Sequence, residues 1–125
     1  MIKLNSREFD RAVRRAIRRI PGEIRVHLEN VLISVQTRPS RELLENMGLS
    51  PGRSLLGVYL GASLMERSSI HPPLYPDTIV IFQKPLEEMC RTVEELEKQI
   101  EITVVHEIAH FIGIGEKRLV ELGYE

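Results

Sequence analysis

The sequence has one cysteine and no long apolar run, and each shortage excludes a class of protein. Cys90 is the single cysteine among 125 residues, so no disulfide can form within the chain. This excludes a secreted fold held by disulfides and favours a reducing compartment, which predicts a cytoplasmic protein. The longest apolar-rich stretch, Leu55 to Met65, has 11 residues, whereas a membrane-spanning helix needs about 20.

The first ten residues lack the apolar segment of a signal peptide and are polar by Asn5. We therefore expect neither export nor membrane insertion. The length and the 42% hydrophobic content fit a single domain spanning residues 1–125 with a core of its own.

Charge is balanced overall but uneven along the chain. The formal net charge is −1, yet seven basic residues stand against two acidic ones between Met1 and Ile20, and six glutamates stand against two basic residues between Pro85 and Glu101. The basic segment indicates either a surface for an anionic partner such as RNA or a solvated helix face near an acidic one. Because it lacks a set of interleaved aromatic residues that could stack on bases, two solvated faces of opposite sign are favoured.

Helix and strand signals alternate along the chain. Asn5 followed by Glu8 forms a capping box, apolar residues then recur at helical spacing, and Pro21-Gly22 ends this first helix. Short apolar runs and turn residues predict one further helix, Ser40–Met47, and three strands, Val31–Gln36, Leu55–Leu60 and Thr78–Phe82. This order indicates an α+β or α/β fold in which the strand order is undetermined.

The last predicted helix contains the residues with chemical potential. Thr92 and Glu95 form a second capping box, and Glu94 and Lys98 have the spacing of an ion pair along the helix. Apolar residues surround the helix over residues 102–112, which predicts burial on every side.

Three polar residues interrupt this apolar segment: His106, Glu107 and His110, in the pattern H-E-x-x-H. The histidines are one helical turn apart, about 40° around the axis and about 6 Å along it, so both imidazoles can bind one ion. Glu107 lies about 100° further round, where it can reach a water beside the ion. Zinc lowers the pKa of such a water, and a carboxylate removes its proton during hydrolysis. The alternative, two core histidines and a buried ion-pair partner, needs a separate partner for each group.

A catalytic zinc needs a third protein ligand, and two glutamates are candidates. Gly113 allows a sharp turn after the helix, so Glu116 can return to the metal at the position of the third histidine in the extended zincin pattern. Glu121, on a predicted short helix from Lys117 to Leu122, is the alternative. Glu116 is favoured.

Three segments together resemble the small bacterial zincin-like metallopeptidase family. They are Thr103–Tyr124, which contains H-E-I-A-H-F-I-G-I-G-E, and the blocks Leu55–Tyr59 and Pro76–Phe82, in the same order as in the family. Two departures stand out. Gly115 replaces one residue of the family's acidic pair, and Val120 stands where many members have histidine.

The resemblance implies a minimal zincin-like (metzincin-like) α+β fold, with a small mixed sheet packed against the central motif helix and the N-terminal helix. It implies zinc as the cofactor, with His106 and His110 as ligands, Glu107 as general base and Glu116 as third ligand. The implied function is hydrolysis of a peptide or an extended protein segment, although a fold does not fix a substrate. Oligomeric state is left open.

Two rival functions stay open. Residues 106, 110 and 116 also have the spacing of a small bacterial metal-dependent endoribonuclease family, for which the basic N-terminal helix would contact RNA. Glutamate at positions 107 and 116 argues against it, because that family has no glutamate after its first histidine and has histidine at the third position. The third possibility is a zinc-binding protein without turnover.

Three further positions have two interpretations each. Thr78–Phe82 is either an exposed edge that binds an extended peptide or an interior strand. His71 and Tyr75 either polarise a scissile carbonyl or, as we favour, lie at the rim of the site. Cys90 is expected to be a small buried hydrophobe, since no basic neighbour in sequence lowers its pKa.

Overall fold

The computed structural model describes residues 1–49, 55–61 and 77–124. Within these ranges the fold is α+β, with six α-helices, one 3₁₀ helix and a small mixed sheet of three strands. In chain order the elements are α1 (Ser6–Arg19), α2 (Gly22–Arg25), the 3₁₀ helix (Val26–Leu28), β1 (Leu32–Gln36), α3 (Arg41–Asn46), β2 (Gly57–Leu60), β3 (Thr78–Phe82), α4 (Gln83–Glu88), α5 (Val93–Ile112) and α6 (Glu116–Glu121). His71 and Tyr75 lie outside the described residues.

The sheet has the order β1-β3-β2, so β3 is its central strand. β3 runs parallel to β1 and antiparallel to β2, with Val58 opposite Val80. All five residues of β3 are buried. Since both sides of Thr78–Phe82 are paired, the edge interpretation of this strand is wrong and the interior one is confirmed.

The predicted capping box at Asn5 is complete, whereas only half of the one predicted at Thr92 forms, because the Glu95 carboxylate accepts the amide of Arg91 instead of that of Thr92. Glu8 donates its amide to the Asn5 side chain at the start of α1, and its carboxylate accepts the Asn5 amide. Thr92 accepts the amide of Glu95 at the start of α5, and the helix ends at Gly113, whose φ of 79° is in the left-handed region. These local signals determine where the two long helices begin.

α1 packs along the N-terminal half of α5 through the main hydrophobic core. The apolar face of α1 buries Phe9, Ala12 and Ala16 in the same cluster as Leu96 and Ile100 of α5. At the edge of this contact, Arg15 Nε and Arg19 Nη2 donate to the two carboxylate oxygens of Glu97 at 2.8 and 2.7 Å. The predicted proximity of a basic and an acidic helix is therefore confirmed.

The acidic helix is less solvated than its sequence suggests. Glu87, Glu97 and Glu101 are each at most 5% exposed. Glu101 accepts the hydroxyl of Tyr124, and Lys98 lies 3.5 Å from Glu101 rather than pairing with Glu94 as predicted. Charged side chains of this segment thus connect the N- and C-terminal parts of the chain to α5.

Three short elements, α2, the 3₁₀ helix and α4, have no clear signal in the sequence. α4 follows β3 directly, and no side chain caps its start at Phe82. Pro85 lies in its first turn, where the missing amide proton does no harm. Across the described ranges, no helix is both long and apolar enough to cross a membrane.

Candidate active site

The motif histidines lie on an open face of α5. His106 is half-buried and His110 is exposed, and Phe111 beside them is 57% exposed. The prediction that this part of the helix is buried on every side is therefore wrong. The apolar residues around it fill the core on one side only, and the face that carries the histidines is accessible.

Glu107 points towards the sheet. Its Oε1 accepts the main-chain amide of Tyr59 on β2 at 3.0 Å. In this antiparallel pair Phe82 N bonds to Leu56 O, and main-chain bonds to β3 alternate along β2, so the amide of Tyr59 faces the outer side of the strand. Glu107 thus lies against the edge of β2.

Burial dominates the electrostatics of Glu107. The half-buried carboxyl has a raised pKa because burial disfavours its charged form. The amide of Tyr59 and the charges of His110 and His106 act in the opposite direction, favouring the carboxylate. Burial is the largest of these effects, so the net pKa of Glu107 is raised.

Tyr59 makes three contacts in the site, and the sequence assigned it no role. Besides holding Glu107 through its amide, it donates its hydroxyl to Asp77 Oδ2 at 2.7 Å. Its ring stacks on Phe111, with the ring centroids 4.3 Å apart and the planes 12° from parallel. The signal that the sequence offered for Tyr59 is strand alternation, which places its side chain on the same face of β2 as Gly57.

Gly57 lets β2 approach α5 closely. A Cβ at this position would lie 2.7 Å from the Cγ2 methyl of Thr103 and 3.2 Å from the carbonyl oxygen of Val80. Thr103 is one turn before Glu107 on α5, and Gly57 is two residues before Tyr59 on β2. Close packing of Gly57 on Thr103 therefore brings the amide of Tyr59 within hydrogen-bond distance of Glu107.

The two candidate third ligands have different surroundings. Glu116 is the first residue of α6, is exposed, and has no ion pair or hydrogen bond from its side chain within the described part of the chain. Glu121 accepts from Arg118 Nη1 at 3.1 Å. In residues 1–49, 55–61 and 77–124, no three His, Cys, Asp or Glu side chains are grouped closely enough to hold a metal ion.

The donor set nevertheless has the chemistry that zinc requires. Two imidazoles one turn apart on an accessible helix face are ordinary zinc ligands, and a carboxylate is an ordinary third ligand. Neither histidine makes a hydrogen bond with another described residue, so either ring nitrogen of each histidine is available to bind a metal. Glu116 and Glu121 are both exposed, and of the two only Glu121 has an ion pair in the described part of the chain.

Cys90 has no part in this site. It is 1% exposed in the main core, and burial, followed by the charge of Glu95, raises the pKa of its thiol. Both effects disfavour the nucleophilic thiolate. The expectation of a small buried hydrophobe is confirmed.

Comparison with known proteins identifies the family. The family model of the zincin-like metallopeptidases matches residues 28–124. The chain therefore belongs to the zincin-like metallopeptidase family, which indicates a metal-dependent, peptidase-type function. A conserved hypothetical protein from Thermo thermophilus has a similar structure, with a TM-score of 0.55 and 18% identity, covering 87% of this chain and 94% of that one. This likeness shows a shared fold only, and no curated protein gives a significant match.

Proposed function

We propose that this protein is a zinc-dependent peptidase that hydrolyses peptide bonds with Glu107 as its general base. The observation that carries the proposal is the position of Glu107. It is flanked by two accessible histidines on α5 and held by a main-chain amide of an edge strand. The proposed metal donors, the proposed base and the proposed substrate-binding edge thus lie side by side.

His106, His110 and Glu116 are the proposed zinc ligands. The bound metal would supply a Lewis acid and lower the pKa of a nearby water. The extended zincin spacing supports Glu116, because Gly113 ends α5 in a left-handed conformation and redirects the chain towards α6.

Glu107 is proposed to take the proton of the attacking water. Its carboxylate has one oxygen on the Tyr59 amide, and that bond fixes the direction of the side chain. The other oxygen, Oε2, is left for the water. After attack, the same carboxyl group can deliver the proton to the leaving amine.

The proposed binding strand for substrate is β2 rather than β3. Among the described strands β2 is an edge beside the motif helix, and the alternation that turns Tyr59 N outwards also turns the carbonyl groups of Gly57 and Tyr59 outwards. An extended peptide can add to such an edge through main-chain hydrogen bonds. The stacked rings of Tyr59 and Phe111 border this edge and offer apolar contact area.

Glu107→Gln tests the proposal, with zinc content and turnover of a mixed peptide library as the two measurements. The variant keeps the side-chain volume but cannot take a proton, so we expect full zinc content and a loss of turnover of about 10²–10⁴-fold. Glu94→Gln is the matched control, because Glu94 is an exposed glutamate on the same helix. We expect it to leave both measurements unchanged.

Three results would contradict the proposal. Loss of zinc in Glu107→Gln would make Glu107 a ligand or its support. Zinc bound by a wild-type protein that cleaves no peptide in the library would favour a binding protein without turnover. Metal-dependent cleavage of single-stranded RNA, without peptide cleavage, would favour the endoribonuclease function, against which the family assignment argues.

A further inference from the structure

The solvent face of α1 carries a straight row of arginines, which we name the arginine stripe. Its members are Arg7, Arg11, Arg14 and Arg18, all exposed. Their 4-3-4 spacing places them within about 60° of the helix circumference and over about 16 Å of its length. The stripe lies opposite the buried face, on which Phe9 and Ala16 pack against α5.

The stripe differs from the structural arginines of the same helix. Arg15 and Arg19 reach the buried carboxylate of Glu97 and hold α1 against α5. No arginine of the stripe has an ion pair in the described ranges. Arg14 Nε donates to the main-chain oxygen of Asp10 at 3.5 Å, which is a long and neutral contact. Four guanidinium groups are thus available to an external anion.

The surroundings of the stripe indicate what kind of anion binds there. Every exposed residue of α1 is polar: Ser6, Arg7, Asp10, Arg11, Arg14, Arg15, Arg18 and Arg19. The buried centre of a protein interface is apolar, and the stripe itself has no apolar residue: the apolar Val13, Ile17, Ile33 and Val35 line a depression on its flank, beside Asp10 and Arg14. Guanidinium groups match phosphate oxygens in charge and shape. Without exposed aromatic residues, the face has nothing on which unstacked bases could lie.

We propose that the arginine stripe binds the phosphate backbone of a duplex nucleic acid without reading its sequence. Four regularly spaced positive charges suit a polymer that repeats a negative charge at every unit, and backbone contacts do not require bases to leave the helix. The proposal does not depend on the peptidase function, because no residue of the stripe belongs to the candidate site.

The test is the salt dependence of binding by the full chain to a fluorescent 20-base-pair DNA duplex. Four phosphate contacts predict a slope of about −3.6 in a plot of log affinity against log salt concentration. Affinity should then fall on the order of 100-fold between 50 and 200 mM salt. Arg11→Gln should reduce the steepness of the slope by about 0.9.

A charge-matched pair of quadruple variants separates position from net charge. Changing the whole stripe to Gln should lower duplex affinity at 50 mM salt at least tenfold. The control changes Arg38, Arg41, Arg91 and Lys117 to Gln, which removes the same charge outside α1 and should lower duplex affinity less than threefold. Both proteins are checked by thermal unfolding, and the slope of Arg11→Gln decides the question if the stripe variant does not fold.

Four outcomes overturn the proposal. They are a wild-type slope near zero, an equal loss in the two quadruple variants, tighter binding to a single strand than to the duplex, and tighter binding to polyglutamate than to the duplex. Tighter binding to polyglutamate would indicate that the partner of the stripe is an acidic protein segment and not a nucleic acid.

Discussion

At the scale of single residues, Gly57 controls how closely β2 and α5 approach. The nearest atom to a Cβ at this position is a methyl carbon on Thr103, which is buried and β-branched and so has little freedom to move. The next is a main-chain oxygen of the central strand. A side chain here must separate the elements that carry Tyr59 and Glu107.

Gly57→Ala is therefore expected to destabilise the protein by about 1–3 kcal/mol, the usual cost of overpacking. Urea unfolding measures the change. Thr103→Ser in the same chain removes the obstructing methyl group and keeps the hydroxyl that donates to Gln99. The double variant should recover part of the loss, and equal destabilisation with and without Thr103→Ser would show that the contact is unimportant.

The choice between the two glutamates is also a question of single residues. Glu116→Ala should weaken zinc affinity at least tenfold, because it removes a proposed ligand, whereas Glu121→Ala should leave zinc affinity nearly unchanged. Glu121→Ala removes the ion pair between Glu121 and Arg118, and the loss of an exposed pair of this kind changes stability little. Competition with a chelator ranks the two variants, and the opposite ranking would assign the third ligand to Glu121.

At the scale of elements, Glu97 joins α1 to α5. Its carboxylate is 5% exposed, while the side chains of Arg15 and Arg19 are about half exposed. Burial of this carboxylate is tolerable because two guanidinium groups bind it, one at each oxygen.

Removing both arginines should therefore cost more than removing the whole cluster. We expect Arg15→Met with Arg19→Met to destabilise the fold by about 1–3 kcal/mol, since a buried carboxylate is left unpaired. Adding Glu97→Met should recover most of this loss. Denaturant unfolding of the wild type, the arginine double variant, Glu97→Met alone and the triple variant gives the coupling, and simple additivity would mean that Glu97 does not need its partners.

The elements also show what the sequence can predict. α1 and α5 are recognisable by the side chains that cap their first turns and by apolar periodicity, which are properties of neighbouring residues. α4 has no capping side chain and follows β3 without a loop, so no local signal separates the two. The central position of β3 depends on pairing with β1 and β2, and short-range patterns carry no information about strand order.

The candidate site also has a part that local sequence signals predict and a part that depends on long-range contacts. His106, Glu107 and His110 are recognisable because one helix brings all three together. The bond from Tyr59 to Glu107 spans 48 residues and uses a main-chain amide, which has no signature in the sequence. The predicted burial around Phe111 was wrong because periodicity shows which residues are apolar but not which face meets the core.

At the scale of the whole molecule, three buried or half-buried groups make the fold sensitive to alkali. Burial is the leading cause of the raised pKa of Tyr59, of Tyr124 and of Cys90, and carboxylates near each group act in the same direction. The native state keeps these protons at pH values where the unfolded chain releases them. Their contribution to stability is full below the unfolded pKa values and is lost as pH rises through the native ones.

The free energy of unfolding should therefore fall between about pH 9 and 11, a range that lies above the usual thiol pKa and includes the usual phenol pKa. Tyr124→Phe removes one such proton, so its stability should fall less steeply over the same range, even if the variant starts from a lower value. Urea unfolding at a series of pH values measures both slopes. Parallel curves for the two proteins would show that Tyr124 does not titrate differently in the native state.

The bond between Glu107 and β2 has a consequence for how this site can be lost. Its donor is a backbone group, so every amino acid except proline at position 59 can supply it, and random point substitution at that position seldom removes it. Inserting or deleting one residue in β2 is different, because each step along a strand exchanges inward and outward amides. This bond should thus tolerate changes of residue identity at position 59 and be vulnerable to changes in the length of the strand.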